Sequence, residues 1–348
     1  KGTIDLEKEK KRNEIARVRC VLNCIETRSD CCGKIHVNDI LRLAGTRVEL
    51  GVQTLYDDVL QRVKRGNTNQ DNIDATALLK DAYYKVGYHM MLGLPLSTYE
   101  RDVAMMKNVF DDERYKPDAL KIYPCMVFKG TELYQEWKDG TFEPINAVEA
   151  ARRIVAFKKY IPPYCRVMRV QRDIPTTLVD AGVETTNLRQ TISAIMGEKG
   201  IRCRCIRCRE PRAASVDWSN VRLQRFDYDA SGGKEIFLSF DDLTNDFLLG
   251  FVRLRIPGDQ VYREEIKGNT AGIREIHVYG RAMQVGSPTH HVQHRGFGVQ
   301  LMEEAERLAR EEFGRDKMVV LSGVGVKEWF RNKFDYTDDG PYMSKKLI

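Results

Sequence analysis

Between residues 17 and 171 the chain alternates short β-rich runs with helical ones, and few features of a sequence restrict the fold as tightly. The β-rich runs are "RVRCVLNCIET", "TRVELGVQT", "KVGYHMMLGLP", "DALKIYP" and "CRVMRVQR". Between them, helical patterns cover residues 69–82, 97–111 and 147–160, the last with Ile154, Phe157 and Ile161 on one face. Repeated βα units predict a parallel sheet or barrel with its chemistry at the carboxyl ends of the strands. Polar residues fall near those ends: Glu26, Thr27 and Arg28 after the first run, Glu49 and Gln53 around the second, His89 in the third. Any one of them reads as a cap or loop group; their recurrence at several strand ends predicts a ligand site.

The last third has another rhythm. "VQHRGFGVQLMEEAERLA", residues 292–309, places Leu301, Ala305 and Leu308 at helical spacing behind two glycines, so a helix is expected to begin near Gly298. Gly296 and Gly298 leave backbone amides open at the positive end of that helix, where a pyrophosphate fits. Strands are expected on both sides, "GIREIHVYG" before and "KMVVLSGVGV" after. Strand, Gln-x-x-Gly-x-Gly, helix, strand resembles the acetyl-coenzyme A site of the GCN5-related N-acetyltransferase (GNAT) fold.

The 348 residues suffice for two cores, and no apolar run nears the ~18 residues of a membrane span. A cytoplasmic protein without a membrane partner is expected. Nine cysteines without regular pairing point to thiols or metal ligands rather than disulfides, and the net charge of +6 suits a polyanionic partner.

"CIETRSD", "TRVELGVQT", "GYHMMLGLP", "LKIYP", "KGTELYQEW", "RVQRDIP", "NLRQ", "DYDASGGKEIFLSF", "REIHVYG", "QHRGFG" and "GPYM" occur in this order over nearly the whole chain. They resemble the family of the catalytic subunit of the Elongator complex. That resemblance implies an α/β fold: a radical S-adenosylmethionine barrel, partial and TIM-type, over residues 1–195, a zinc-binding linker over 196–215, and a GNAT-like α+β acetyltransferase domain over 216–348. It implies a tRNA-modifying enzyme that places a carboxymethyl group on carbon 5 of the wobble uridine. Its cofactors would be acetyl-CoA, S-adenosylmethionine, a 4Fe-4S cluster and zinc. Its partners would be the tRNA anticodon stem-loop and either accessory Elongator subunits or a second copy.

The resemblance also implies site residues. Arg28, Glu49, Gln53 and His89 fall to the radical domain's ligands. Glu275, Ile276, His277 and Val278 fall to the pantetheine, and Gln293, His294, Arg295, Gly296, Phe297, Gly298 and Val299 to the pyrophosphate. Lys11 matches a lysine that reaches acetyl-CoA from the radical domain, and Glu275 or His277 is nominated as a base. Trp329 and Phe330 stand where the family usually has paired tyrosines, and neither carries a hydroxyl to give a proton to a thiolate. "GLPLS" replaces the usual Gly-Leu-Pro-Gly.

The family's Cys-x9-Cys-x2-Cys cluster run is missing. Cys20, Cys24, Cys31 and Cys32 do not match its spacing and read as core or loop thiols. The start of the chain inside the family pattern predicts a longer protein that carries the cluster segment. "CRCIRC" sets Cys203, Cys205 and Cys208 together among Lys199, Arg202, Arg204, Arg207, Arg209 and Arg212, which favours metal-binding thiolates; a fourth ligand is not apparent. The same bases, with "MRVQRD", suit tRNA phosphates, and Tyr83, Tyr84, Tyr88 and Tyr123 offer surfaces for a flipped base. A protein lysine acetyltransferase and a non-catalytic tRNA scaffold are the competing readings.

Overall fold

A computed structural model describes residues 5–212, 214–279 and 296–347. Five parallel strands, β1 (Cys24–Thr27), β2 (Arg47–Gln53), β3 (Lys85–Leu92), β4 (Ala119–Pro124) and β5 (Arg166–Arg169), pair in sequence order. Each βα unit thus adds to the same edge, which builds the wall of a barrel, whereas a doubly wound sheet reverses its strand order. Helices α2 (Lys34–Arg42), α3 (Asp57–Arg62), α4 (Asn69–Asp81), α5 (Tyr99–Asp111), α6 (Glu132–Lys138) and α7 (Ala147–Lys158) fall between the strands, and α1 (Leu6–Glu14) precedes them.

The wall is two-faced. Val48, Leu50, Val86, Tyr88, Leu120 and Ile122 are buried in the hydrophobic core that also takes in residues of α2, α4, α5 and α7. The alternate positions Arg47, Glu49, Lys85, His89 and Lys121 share the opposite face, because successive strand side chains point to opposite sides. The expected first strand is much shorter than its β-rich run. Residues 18–22 have no strand partner among the described residues, and Val18, Val21 and Leu22 are exposed. Tyr83, Tyr84 and Tyr88 are fully buried core residues, which corrects their reading as stacking surfaces; Tyr123 is the least buried of the four.

After α8 (Leu188–Glu198) and the short α9 (Ile206–Arg209), a seven-stranded sheet runs β11-β12-β10-β9-β8-β7-β6. β6 (Val221–Ala230), β7 (Gly233–Asp242), β8 (Phe247–Ile256) and β9 (Thr270–Val278) form an antiparallel meander. β9 then pairs in parallel with β10 (Lys317–Val320), the connection passing through α10 (Phe297–Glu311). α11 (Lys327–Phe334), β11 (Thr337–Asp339) and β12 (Tyr342–Lys346) complete the domain. Leu301, Ala305 and Leu308 of α10 are buried against the sheet, as their spacing predicts. The expected strand of residues 317–326 stops at Val320, and its remainder turns away through a 3-10 segment, Val324–Val326.

The sheet lies directly on the barrel wall. At Gly272 an added Cβ would stand 2.3 Å from the Tyr83 ring, so glycine is what lets β9 approach the barrel this closely. Charge fills the remaining seam. Arg274 pairs with Asp118 and Glu235 at 2.7 and 2.8 Å, and Arg255 with Asp81 and Glu235 at 2.6 and 2.9 Å. Arg253 reaches Glu275 at 2.8 Å and Asp118 at 3.5 Å, and Lys80 stands 3.6 Å from Glu235. No helix is long and apolar enough to cross a membrane among the described residues.

Candidate active site between barrel and sheet

The bulge in β9 prepares the site. Arg253 pairs with Glu275 and the next residue, Leu254, with Ile273, so Arg274 is the extra residue and the strand locally changes its alternation. A bulge of this kind re-aims a side chain. Here it sends both Arg274 and Glu275 toward the barrel while Ile273, Ile276 and Val278 pack in the core under α10. β9 and β10 then separate beyond Val320, leaving a cleft of about 600 Å³.

Glu275, Ile276, His277, Val278, Gly298, Trp329 and Phe330 all line this cleft, as do Val21, Leu22, Thr46 and Lys85 from the barrel side. Gly296 caps α10 in a left-handed conformation at φ 73°. A Cβ on Gly298 would meet Trp329 at 3.5 Å and Val278 at 3.7 Å, so the helix start, the splayed strand and the indole form one wall. Phe297 stacks on Phe240 with centroids 4.4 Å apart, and Val299 also packs on the core, so these two residues offer backbone rather than side chain. Gln293, His294 and Arg295 lie outside the described residues.

Glu275 is committed. One carboxylate oxygen takes Lys85 and the other Arg253, and although burial pushes its pKa up, the two cations hold it down at about 2. A carboxylate so stabilised is a weak base, which argues against the nominated catalytic role. His277 lies beside it with its ring 4.4 Å from Tyr279 and 6.0 Å from Phe251. Lys11 does not join the cleft. It pairs with Asp338 at 3.0 Å and Glu14 at 3.3 Å, beside a separate cavity of about 170 Å³.

A second group sits on the charged face of the barrel wall. His89 Nε2 lies 2.7 Å from Glu49, Lys121 binds Glu49 and lies 2.5 Å from Glu26, and Arg47 also pairs with Glu49. Burial opposes ionisation of Glu49, yet His89, Arg47 and Lys121 together hold it well below the usual carboxylate range. Gln53 closes β2 at φ 64°, a conformation uncommon outside glycine. Arg28 is apart from the group, paired with Asp30 at 2.5 Å. From Lys85 to His89 the same strand face runs four residues, roughly 13 Å, so the cleft meets the barrel at the amino ends of β2 and β3, below the Glu49–His89 group.

Cys203, Cys205 and Cys208 bring their sulfurs within 4.8 Å of one another. Ile206 N–H donates to Cys165 O at 3.0 Å and fastens the turn to the barrel. The Lys158 ammonium, almost fully buried, donates to Cys208 Sγ at 3.3 Å. Hydrogen bonds from Cys203 and Cys205, with this ammonium, pull the Cys208 pKa down. The set fits three zinc ligands; no fourth Cys, His, Asp or Glu joins it among the described residues. Cys20, Cys24, Cys31 and Cys32 form no comparable set there, so these thiols do not fit a cluster site.

Residues 2–108 match the family model of the radical SAM superfamily, and residues 117–198 that of the radical SAM C-terminal domain. The tRNA uridine(34) acetyltransferase of Dehalococcoides mccartyi is 44% identical over 348 residues, 98% of this chain and 75% of that protein. The chain belongs to the family of this acetyltransferase. A second relative of the same name, from Methanocaldococcus jannaschii, is 46% identical over 98% of this chain and 64% of its own length. Human Elongator complex protein 3 is 44% identical over 97% and 62%. The solved structure of archaeal Methanocaldococcus infernus Elp3 with an N-terminal deletion matches with a TM-score of 0.94 and 46% identity, covering 100% of this chain and 83% of that one. The chain spans just under two thirds of the two Methanocaldococcus relatives, 64% and 65%. The expected fold, a radical SAM partial barrel followed by a GNAT-like acetyltransferase domain, is the fold of this family member.

Sequence reasoning missed Lys85, Lys121 and Lys158. The first two carried a usable signal, since each is a cation at the site-facing position of an otherwise apolar strand. Lys158 carried none, because the last turn of a helix is an ordinary place for lysine.

Proposed function

We propose that the chain is the catalytic core of a cytoplasmic tRNA-modifying enzyme that places a carboxymethyl group on carbon 5 of the wobble uridine, using acetyl-CoA and S-adenosylmethionine. One observation carries the reading: the cleft behind the α10 start is lined jointly by β9 and by Thr46 and Lys85 of the barrel. An acyl group held there faces the barrel rather than open solvent.

The chain's own residues have distinct tasks. The edge of β9 beyond the β10 pairing, unpaired among the described residues, offers backbone groups to the pantetheine, and Gly296 and Gly298 admit the pyrophosphate at the positive end of α10. Trp329 closes one side, while Val21 and Leu22 exclude water from the other. Glu49, His89 and Gln53 offer polar partners for S-adenosylmethionine on the barrel face. Bound to a 4Fe-4S cluster, that cofactor would supply a hydrogen-abstracting radical; the cysteines described above do not fit the cluster. Cys203, Cys205 and Cys208 hold zinc, and the bases around them track phosphates of the anticodon stem-loop. Accessory Elongator-type subunits or a second copy complete the assembly.

Protein lysine acetylation is less favoured, because Glu275 is bound by two cations. The test is free-thiol release from acetyl-CoA with tRNA, with histone peptide, and with neither. Stimulation by tRNA supports the proposal. Acetylated peptide, or tRNA binding without turnover, overturns it.

A further inference from the structure

The cleft poses a chemical problem. Breaking an acyl-CoA thioester expels a thiolate, and Trp329 and Phe330 have no hydroxyl with which to protonate it. The other polar groups of the lining are mostly spent. Arg274 is fully buried on Asp118, Glu235 and the Tyr84 carbonyl, Ser322 donates its proton to Gly323 O at 2.9 Å, and Glu275 holds Lys85 and Arg253. Lys85 differs. Its ammonium has three donors, and among the described residues its one hydrogen bond is to Glu275. It begins β3 at the barrel edge of the cleft, across from the α10 start.

We infer that Lys85 is the general acid for acyl-CoA thioester cleavage in this cleft, donating a proton from Nζ to the departing sulfur. The inference rests on the acetyl-CoA reading of the cleft. Water attacks the thioester carbonyl carbon, the carbon–sulfur bond breaks, and its electron pair leaves with sulfur, which takes the Lys85 proton. The neutral amine then takes the proton released by the attacking water. The products are thiol and carboxylate, with the carboxylic proton lost to solvent. Glu275 positions the ammonium. Burial lowers the Lys85 pKa, and Arg47 of β2 and Arg253 of β8 add to this, while Glu275 of β9 opposes it. His277 lies on the same strand as Glu275.

The experiment uses the full-length protein with tRNA and acetyl-CoA, comparing wild type, Lys85→Arg and His277→Gln by thiol release across pH, with coenzyme A binding by calorimetry. Arginine keeps the charge beside Glu275 but does not give up a proton. Lys85→Arg is expected to lower kcat by about 10²-fold with KM and coenzyme A affinity little changed. The wild-type rate should fall at alkaline pH as the ammonium is lost, and that limb should vanish in Lys85→Arg. An unchanged profile in Lys85→Arg, or loss of the limb in His277→Gln instead, overturns the assignment. Failure of wild type to bind coenzyme A would instead defeat the acetyl-CoA reading itself, and unchanged affinity and melting temperature in Lys85→Arg separate lost chemistry from lost fold.

Discussion

Arg274 of the sheet and Asp118 of the barrel form a two-pronged ion pair, 2.7 and 2.8 Å, with neither side chain exposed. Removing one partner takes from the other its two-pronged counter-ion and leaves Arg274 with Glu235 or Asp118 with the more distant Arg253; breaking a buried pair in this way typically costs ~3–5 kcal/mol. Arg274→Met and Asp118→Asn should each lower stability by about that amount in denaturant titrations. The Arg274→Met/Asp118→Asn double variant should lose less than the sum.

Lys80 is expected to behave in the opposite sense. It is fully buried, lacks a hydrogen-bond partner among the described residues, and belongs there to a seam network with Lys85, Arg253, Arg255 and Arg274 against Asp81, Asp118, Glu235 and Glu275, one positive charge in excess. Burial pulls its pKa from 10.5 to about 8, despite Asp118 and Glu235. Between those two values the unfolded chain binds the extra proton, so the penalty eases as pH rises from 8 to 10.5. Lys80→Met should therefore stabilise the protein at pH 7 by roughly 1–3 kcal/mol, and the gain should shrink across that window. A destabilised variant at pH 7 would refute the excess-charge account.

This network was hardly legible in the sequence, and the reason is physical. "FVRLRI" and "GIREI" show arginines alternating with apolar residues, which on an isolated strand describes one solvated face. Only the barrel, packed against that face, turns it inward. By contrast β2, β3 and β4 could be read directly, because apolar residues recur at every second position on the face that the helices cover. The run before Cys24 misled for a related reason: Val18 and Val21 have strand-like chemistry, but among the described residues no strand offers them a partner. Of the candidate sites, the glycine-led helix and the thiol trio were visible because they are local in sequence. The Glu275–Lys85 pair, 190 residues apart, was not.

Glu275 gives the acid side of the stability profile. Its folded pKa of about 2 lies below the ordinary 4.5, because Lys85 and Arg253 outweigh the opposing effect of burial. A depressed carboxylate contributes stability above its unfolded pKa and loses it as pH falls through the folded one. Glu275→Gln should therefore be less stable than wild type at pH 7, and the difference should narrow between pH 4.5 and 2. Urea titrations at several pH values measure it. A constant difference down to pH 2 would mean that the carboxylate charge contributes nothing.

The thiol trio makes the last prediction. With Cys203, Cys205 and Cys208 mutually within 4.8 Å and an ammonium 3.3 Å from Cys208, purified protein should carry about one zinc per chain by elemental analysis. Cys208→Ser should reduce this below about a tenth, since each structural ligand is needed to close the site. The turn holding the trio is fastened to the barrel by the Ile206 to Cys165 hydrogen bond and to the seven-stranded sheet by Arg209, which binds Asp241 at 2.5 Å and Asp246 at 3.0 Å. Stripping the metal leaves these contacts but removes the ion that ties the three sulfurs together, so the turn should loosen while the two sheets persist. Trypsin should then cut at Arg202, Arg204 or Arg207 in chelator-treated protein and spare the untreated enzyme. Equal cleavage of both samples, with no zinc in either, would end the metal assignment.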